Sequence, residues 1–393
     1  MSDAARTATQ RGLPRGAGLI GAAFGVVAAG TAVGIALERY TLGRAVRRMA
    51  KAHDPGEAFG TLRGTPQTVM AADGVELHVE VDDPFNWPRG VDWQRAGRSP
   101  QRNAAPGAAD PPTLLFTHGF CLPQDCWHYQ RAEFSGAYRM VFWDQRGHGR
   151  SDRPKPGSPL SVDVLGEDLY AVLEATCPTG PVILVGHSMG GMTMMALAEA
   201  HPELFGDRIV GVALIATSAG EFTDLAFGLP RAGARLLHRT APGAFDLLSR
   251  QHSLVERGRR AGGDLGLVLT KRYAFGTDAP ESVVSFTMEL IQSTPIEVIA
   301  RFFPIFREHD KAGAVPVFDR VPALVLAGDH DLLLPAAHSR ALADAIPGAQ
   351  YVVVEGGGHV VMLEHPGEVG AALRRLVERV EARPAQPDRR AAN

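Results

Sequence analysis

Gly186-His187-Ser188-Met189-Gly190 joins two segments of opposite character, and that junction restricts the chain more than any other stretch. Residues 181–185 are a short apolar run suited to a buried strand, and residues 191–200, rich in Met and Ala, suit a helix. A serine on the sharp turn between them holds a strained backbone, which small flanking residues permit, and its hydroxyl is lifted clear of the sheet. The spacing G-x-S-x-G is common by chance; the strand–turn–helix context makes Ser188 a candidate nucleophile. The plain alternative is a small-residue turn that only packs a helix on a sheet.

A serine hydroxyl is a weak nucleophile at neutral pH and needs a base with an orienting acid. Two further apolar runs lie downstream. Residues 322–327 end in Gly328-Asp329-His330-Asp331, and residues 351–355 end in Gly356-Gly357-Gly358-His359. Both put polar groups past the C-terminal end of a strand, the edge where open α/β sheets bind ligands. His359, after three glycines, is read as the base on a loop free to approach Ser188. Asp331 is the favoured acid because it lies further past the strand tip, and Asp329 is assigned to the backbone groups of its own turn. Glu221 and Asp224, after the preceding strand, are the rival acids. Residues 113–117 form another strand, running into His118-Gly119-Phe120, so the backbone N–H groups of Phe120 and Met189 are the candidate oxyanion donors. His118, His148 and His187 are read as structural.

These motifs, with Asp144-Gln145-Arg146-Gly147-His148-Gly149-Arg150-Ser151-Asp152, resemble the α/β-hydrolase superfamily, in its cap-bearing esterase, epoxide-hydrolase and haloperoxidase-like branch. The resemblance runs from about Gln67 to about Val380 and implies a mostly parallel eight-stranded sheet flanked by helices, with a helical cap inserted after the sixth strand. It implies a structural, non-chemical role for the 144–152 turn. One departure matters: Ser188 stands where epoxide hydrolases and haloalkane dehalogenases hold Asp, so acyl transfer through serine is expected rather than a route through an alkyl-enzyme.

A length of 393 residues with 45% hydrophobic content allows a large core, and a net charge of −3 with dispersed basic residues argues against a nucleic-acid partner. The three cysteines have no metal spacing, and Cys121 and Cys126 read as thiols rather than a disulfide. No metal or cofactor fingerprint is present.

Residues 16–37 carry no charge, and as a helix they would extend about 33 Å, enough to cross a bilayer core. Arg6, Arg11 and Arg15 precede this run, and Arg39, Arg44, Arg47, Arg48 and Lys51 follow it. That pattern reads as an uncleaved membrane anchor with the catalytic part in the cytoplasm, the alternative being a cleaved signal peptide and export. The two G-x-x-x-G pairs, Gly21/Gly25 and Gly30/Gly34, fall on opposite helix faces and cannot form one seam.

The expected organisation is a basic tail (1–15), an anchor (16–38), a juxtamembrane linker (39–66), a core (67–217 and 321–382), a cap (218–320) and a polar tail (383–393). Val75 to Val81 alternates and reads as a half-exposed edge strand after an Asp73-Gly74 turn from a strand near 68–71. Residues 83–112 read as an insertion in which Trp87 and Trp93 pack on the domain, the alternative being the membrane surface. Residues 139–143 and 209–216 read as strands, and 161–176 as a helix capped by Ser161. Within the cap, Pro230, Pro242, Pro280, Pro295 and Pro304 are expected to separate short helices. Phe222, Phe227, Phe245, Phe275, Phe286, Phe302, Phe303 and Phe306 favour a small hydrophobic ester-like substrate. The expected chemistry is two-step ester hydrolysis through Ser188, His359 and Asp331 with no cofactor. Perhydrolysis, acyl transfer to another alcohol and ligand binding without turnover remain as alternatives, and the oligomeric state is left open.

Overall fold

Strands that are buried on both faces alternate their side chains between two cores, and five of the strands here do so in near-continuous apolar runs. The computed structural model describes residues 58–84, 111–155, 157–220 and 263–383. Its eight strands are β1 (Thr65–Met70), β2 (Glu76–Asp82), β3 (Thr113–Thr117), β4 (Met140–Trp143), β5 (Val182–His187), β6 (Ile209–Ile215), β7 (Ala323–Gly328) and β8 (Gln350–Val354). They form one sheet in the order β1-β2-β4-β3-β5-β6-β7-β8, antiparallel at β1/β2 and β2/β4 and parallel elsewhere.

The helices are α1 (His128–Phe134), α2 (Val162–Thr176), α3 (Met189–Ala200), α4 (Gly263–Ala274), α5 (Glu281–Ser293), α6 (Ile296–Glu308), α7 (Ala336–Ala345), α8 (Val361–Glu364) and α9 (Pro366–Glu381). Leu115, Leu184, Val212 and Val325 turn to the side covered by α2, α3 and α7. Their neighbours Phe116, Val185, Ala213 and Leu326 turn to the side covered by α1, α8 and α9. Period-two alternation thus fills both layers from the same strands. The Ser161 hydroxyl caps α2 by accepting from the Val164 N–H at 3.3 Å.

The strand order creates the crevice. From β3 the chain passes to β4 on one side, and from β5 it passes to β6 on the other, so the loops leaving the carboxyl ends of β3 and β5 diverge from neighbouring strands. That switch point is where an open α/β sheet leaves room for a ligand.

Several expectations need correction. β2 is an interior strand paired on both sides, and β1 is the edge, with five of its six residues exposed. The alternation misled because Glu80 is buried in an ion pair with Arg131, which also holds the neighbouring Asp82, rather than facing solvent. Pro304 lies inside α6 instead of breaking it; its side is exposed while Phe302 and Ile305 bury against α2 and α3. Pro280 and Pro295 do sit at helix starts. The segment read as linker contributes Phe59, which stacks on Phe286 of α5 at 4.7 Å, and β1 begins within it. The tail beyond 383, Trp87, Trp93, the 16–38 run with its flanking arginines, and Pro230 and Pro242 lie outside the described residues. Among the described residues no helix is long and apolar enough to cross a membrane. Cys121 and Cys126 form no disulfide.

The turn after β4 is built around buried charge. Arg146 makes a two-pronged contact with Asp168 of α2 at 2.6 and 2.7 Å and a second with Asp73 at 2.8 Å, both partly or fully out of water. Asp144 accepts from the Gln124 and Arg150 N–H groups, and a Cβ on Gly149 (φ +52°) would lie 2.3 Å from its carboxyl carbon. Arg146→Leu should strand Asp168 as an unpaired buried carboxylate and lower unfolding free energy by about 3–5 kcal/mol. Urea denaturation checks this, and a loss below about 1 kcal/mol would assign the pair no structural weight.

Candidate active site

Ser188 occupies the turn between β5 and α3 with φ +51° and ψ −116°, a left-handed conformation unusual for a side-chain-bearing residue. The elbow is locked from several directions. The Ser188 N–H donates to the Ile215 carbonyl at 2.9 Å, and its carbonyl accepts from the Gly191 N–H at 2.9 Å and the Thr217 hydroxyl at 2.7 Å. The small neighbours are required by contact. A Cβ on Gly190 would lie 2.2 Å from the Thr117 carbonyl oxygen, and one on Gly191 would lie 2.6 Å from Thr217.

His359 Nε2 lies 3.1 Å from Ser188 Oγ, and Nδ1 lies 2.8 Å from Asp331 Oδ2. Asp331 is itself held: its Oδ1 accepts from the Leu333 and Leu334 N–H groups, each at 2.8 Å. An acceptor-only carboxylate facing Nδ1 puts the ring proton there and leaves Nε2 with a lone pair toward the hydroxyl. Asp329 instead contacts the His330 ring and accepts from the Gly356 N–H at 2.7 Å, so the backbone group it satisfies belongs to the loop after β8 rather than to its own turn. Glu221 and Asp224 lie outside the described residues. Met189 is the first residue of α3, and its N–H and that of Phe120 have no backbone acceptor among the described residues.

The model of the family described as alpha/beta hydrolase fold matches residues 112–366. The chain belongs to that family. An uncharacterized protein of Mycobacterium tuberculosis is 26% identical over 291 residues, covering 72% of this chain and 80% of its own. A pimeloyl-[acyl-carrier protein] methyl ester esterase of Xanthomonas oryzae is 28% identical over 278 residues, covering 68% of this chain and 96% of the relative. Among solved structures, a thermophilic esterase from Thermogutta terrifontis superposes with TM-score 0.56 at 24% identity, covering 81% of this chain and 99% of that one.

Three other histidines of this α/β-hydrolase-fold protein surround the site as connectors. His118 Nδ1 donates to the Gly119 carbonyl at 2.7 Å while Nε2 accepts from the Gln145 N–H at 2.8 Å, and burial lowers its pKa to about 4. Burial likewise brings His148 to about 3, with the nearby His118 acting in the same direction. His187 is pushed well below the usual histidine range by burial and then by His359, and its Nε2 donates to the His359 carbonyl at 2.8 Å. All three are neutral rings; His118 and His187 fasten one loop to another, and His148 bonds within its own turn to the Arg146 carbonyl at 3.1 Å.

The aromatic wall is divided. Phe302 and Phe306 of α6 gather on Phe120, with ring centroids 5.8 and 5.0 Å away, and His148 meets Phe302 edge-on at 5.0 Å. Phe303 is half-buried on the same helix. Phe275 and Phe286 belong to the core on the α9 side of the sheet, and Phe222, Phe227 and Phe245 lie outside the described residues.

Sequence reasoning missed Thr217, whose only signal was its place two residues past β6. It also missed the pair Gln145–Thr193, which ties the His118 carbonyl to α3 through bonds of 2.6 and 2.7 Å. The loop before His359 needs correcting too. It is not free: the His330 N–H donates to the Gly357 carbonyl at 2.9 Å, and a Cβ on Gly328 would lie 2.1 Å from that oxygen.

Gly190→Ala should force the elbow away from the β3 loop, at about 1–3 kcal/mol of overpacking. Its unfolding free energy and its reaction with a serine-directed phosphonate should both fall. A variant as stable and as reactive as the parent would mean the two loops are not in contact.

Proposed function

We propose that the protein is a serine hydrolase that cleaves carboxylic esters with apolar acyl or alkyl groups. The observation that carries the reading is the hydrogen-bonded chain from Ser188 through His359 to Asp331 at the carboxyl ends of β5, β8 and β7. The esterase named among its relatives agrees with it.

In this reading His359 Nε2 takes the Ser188 proton as Oγ attacks the ester carbonyl, and Asp331 holds the ring and stabilises the imidazolium. The tetrahedral oxyanion accepts from the Phe120 and Met189 N–H groups. Met189 adds the positive end of the α3 dipole, and one such donor is worth about 2.7–4 kcal/mol. His359 then protonates the departing alcohol, and a water deprotonated by the same nitrogen attacks the acyl-enzyme and releases the acid. Phe120, Phe302 and Phe306 offer the apolar surface for the acyl chain. No step needs a metal or an organic cofactor.

Hydrolysis of p-nitrophenyl esters of increasing chain length tests the reading. Turnover is expected in the parent, with losses on the order of 10⁶-fold for Ser188→Ala and 10⁴-fold for Asp331→Asn. A folded parent without turnover on any of these esters would sink simple esterase action.

We further propose that the uncharged run at 16–37 anchors the chain in a membrane with the catalytic part in the cytoplasm. The full chain should resist carbonate extraction, and a chain starting at Lys51 should not. Full extraction of the intact chain would overturn the anchor.

A further inference from the structure

Glu364 closes the short helix α8 that follows His359, and its side chain is only 2% exposed. A buried carboxylate must have its lone pairs filled, and among the described residues the hydrogen-bond donors to this one come from two loops, with His365 Nε2 further off at 4.0 Å from Oε1. The Gly358 N–H donates to Oε2 at 2.6 Å, beside His359. The Gly276 N–H at 3.0 Å, the Thr277 N–H at 2.7 Å and the Thr277 hydroxyl at 2.7 Å donate to Oε1. Gly276 and Thr277 belong to the connection between α4 and α5, inside the helical insertion.

The same two segments meet again without Glu364. The Val360 N–H donates to the Ala274 carbonyl at the end of α4 at 2.9 Å. A Cβ on Gly358 would lie 2.4 Å from the Gly276 nitrogen, and one on Gly276 would lie 2.4 Å from the Gly356 carbonyl. Of the two flanks of His359, Val360 is therefore bonded to Ala274 and Gly358 is packed against Gly276 and joined to it through Glu364, while the His359 carbonyl is held by His187.

We propose that Glu364 is a positioning residue through which the helical insertion sets the place of the His359 imidazole against Ser188. This rests on His359 acting as the base in ester hydrolysis. The carboxylate is specifically suited: an amide in its place would turn an NH₂ group toward an N–H donor.

The test compares the full chain with Glu364→Ala, Glu364→Gln and Thr277→Val. For both Glu364 variants kcat should fall about 10- to 100-fold with KM within about two-fold, Gln retaining more activity than Ala. The downfield proton resonance of the His359–Asp331 hydrogen bond should weaken in parallel. A kcat within about two-fold of the parent, or a raised KM with kcat held, would overturn the proposal. If Glu364→Ala does not fold, Glu364→Gln and Thr277→Val decide by the same split between kcat and KM. A parent without ester turnover would be a failure of the hydrolase reading alone. The proton resonance would still decide here, an unchanged signal in Glu364→Gln overturning the positioning role.

Discussion

The left-handed backbone of Ser188 is the constraint around which the rest of the site is arranged. A non-glycine residue in such a conformation costs about 1–3 kcal/mol and persists only where its surroundings over-determine it. Here β6 supplies the Ile215 carbonyl for the Ser188 N–H, and the segment just after it supplies the Thr217 hydroxyl for the Ser188 carbonyl. The β3 loop supplies the wall against which Gly190 is pressed. Holding the elbow therefore requires β3, β5 and β6 in their observed order, and that order opens the crevice into which the hydroxyl points. Strand topology, glycine placement and the geometry of the Ser188 elbow are one requirement.

Burial then sorts four histidines into two kinds. His118, His148 and His187 are enclosed without a hydrogen-bonded carboxylate, so desolvation holds them neutral, and each bonds to backbone through at least one ring nitrogen. His359 alone faces a buried carboxylate, and that carboxylate is oriented by two backbone N–H groups. The distinction lies in the environments, since all four rings sit within a few ångströms of one another or of the nucleophile. His187 lies next to Ser188 in sequence yet meets the site through His359, by a hydrogen bond to its carbonyl and a ring contact at 4.9 Å.

What was readable in the sequence was local. The 3.6-residue pattern of α2 with its Ser161 cap, the apolar runs of β3 and β5 to β7, and the small residues about Ser188 each express a short-range rule. The choice of Asp331 over Asp329 followed from how far each lies past a strand tip. Long-range pairing was not readable. Glu80 helped give residues 75–81 the alternation of an edge strand because nothing nearby revealed that Arg131 neutralises it. Pro304 looked like a breaker because its cost of about 3 kcal/mol is local, while the burial of Phe302 and Ile305 that outweighs it comes from α2 and α3. Thr217 and Glu364 carry no motif; each matters only because of what the fold brings beside it.

Gly356-Gly357-Gly358 shows how a local reading can invert. Three glycines before a catalytic-type histidine suggest conformational freedom, and Gly356 does use a left-handed φ of +72°. Their larger effect is proximity. The Gly357 carbonyl sits where a Gly328 side chain would be, and Gly358 lies against the backbone of Gly276. Without side chains, three backbone segments from β7, β8 and the insertion approach closely enough to hydrogen-bond. A general base must keep its nitrogen within hydrogen-bond reach of the hydroxyl, and a displacement of about 1 Å can cost a hundredfold in rate. A flexible loop would hold that distance poorly. Close-packed glycines give up side-chain volume to let backbone fasten backbone, so the residue type that permits most motion here belongs to a rigid support.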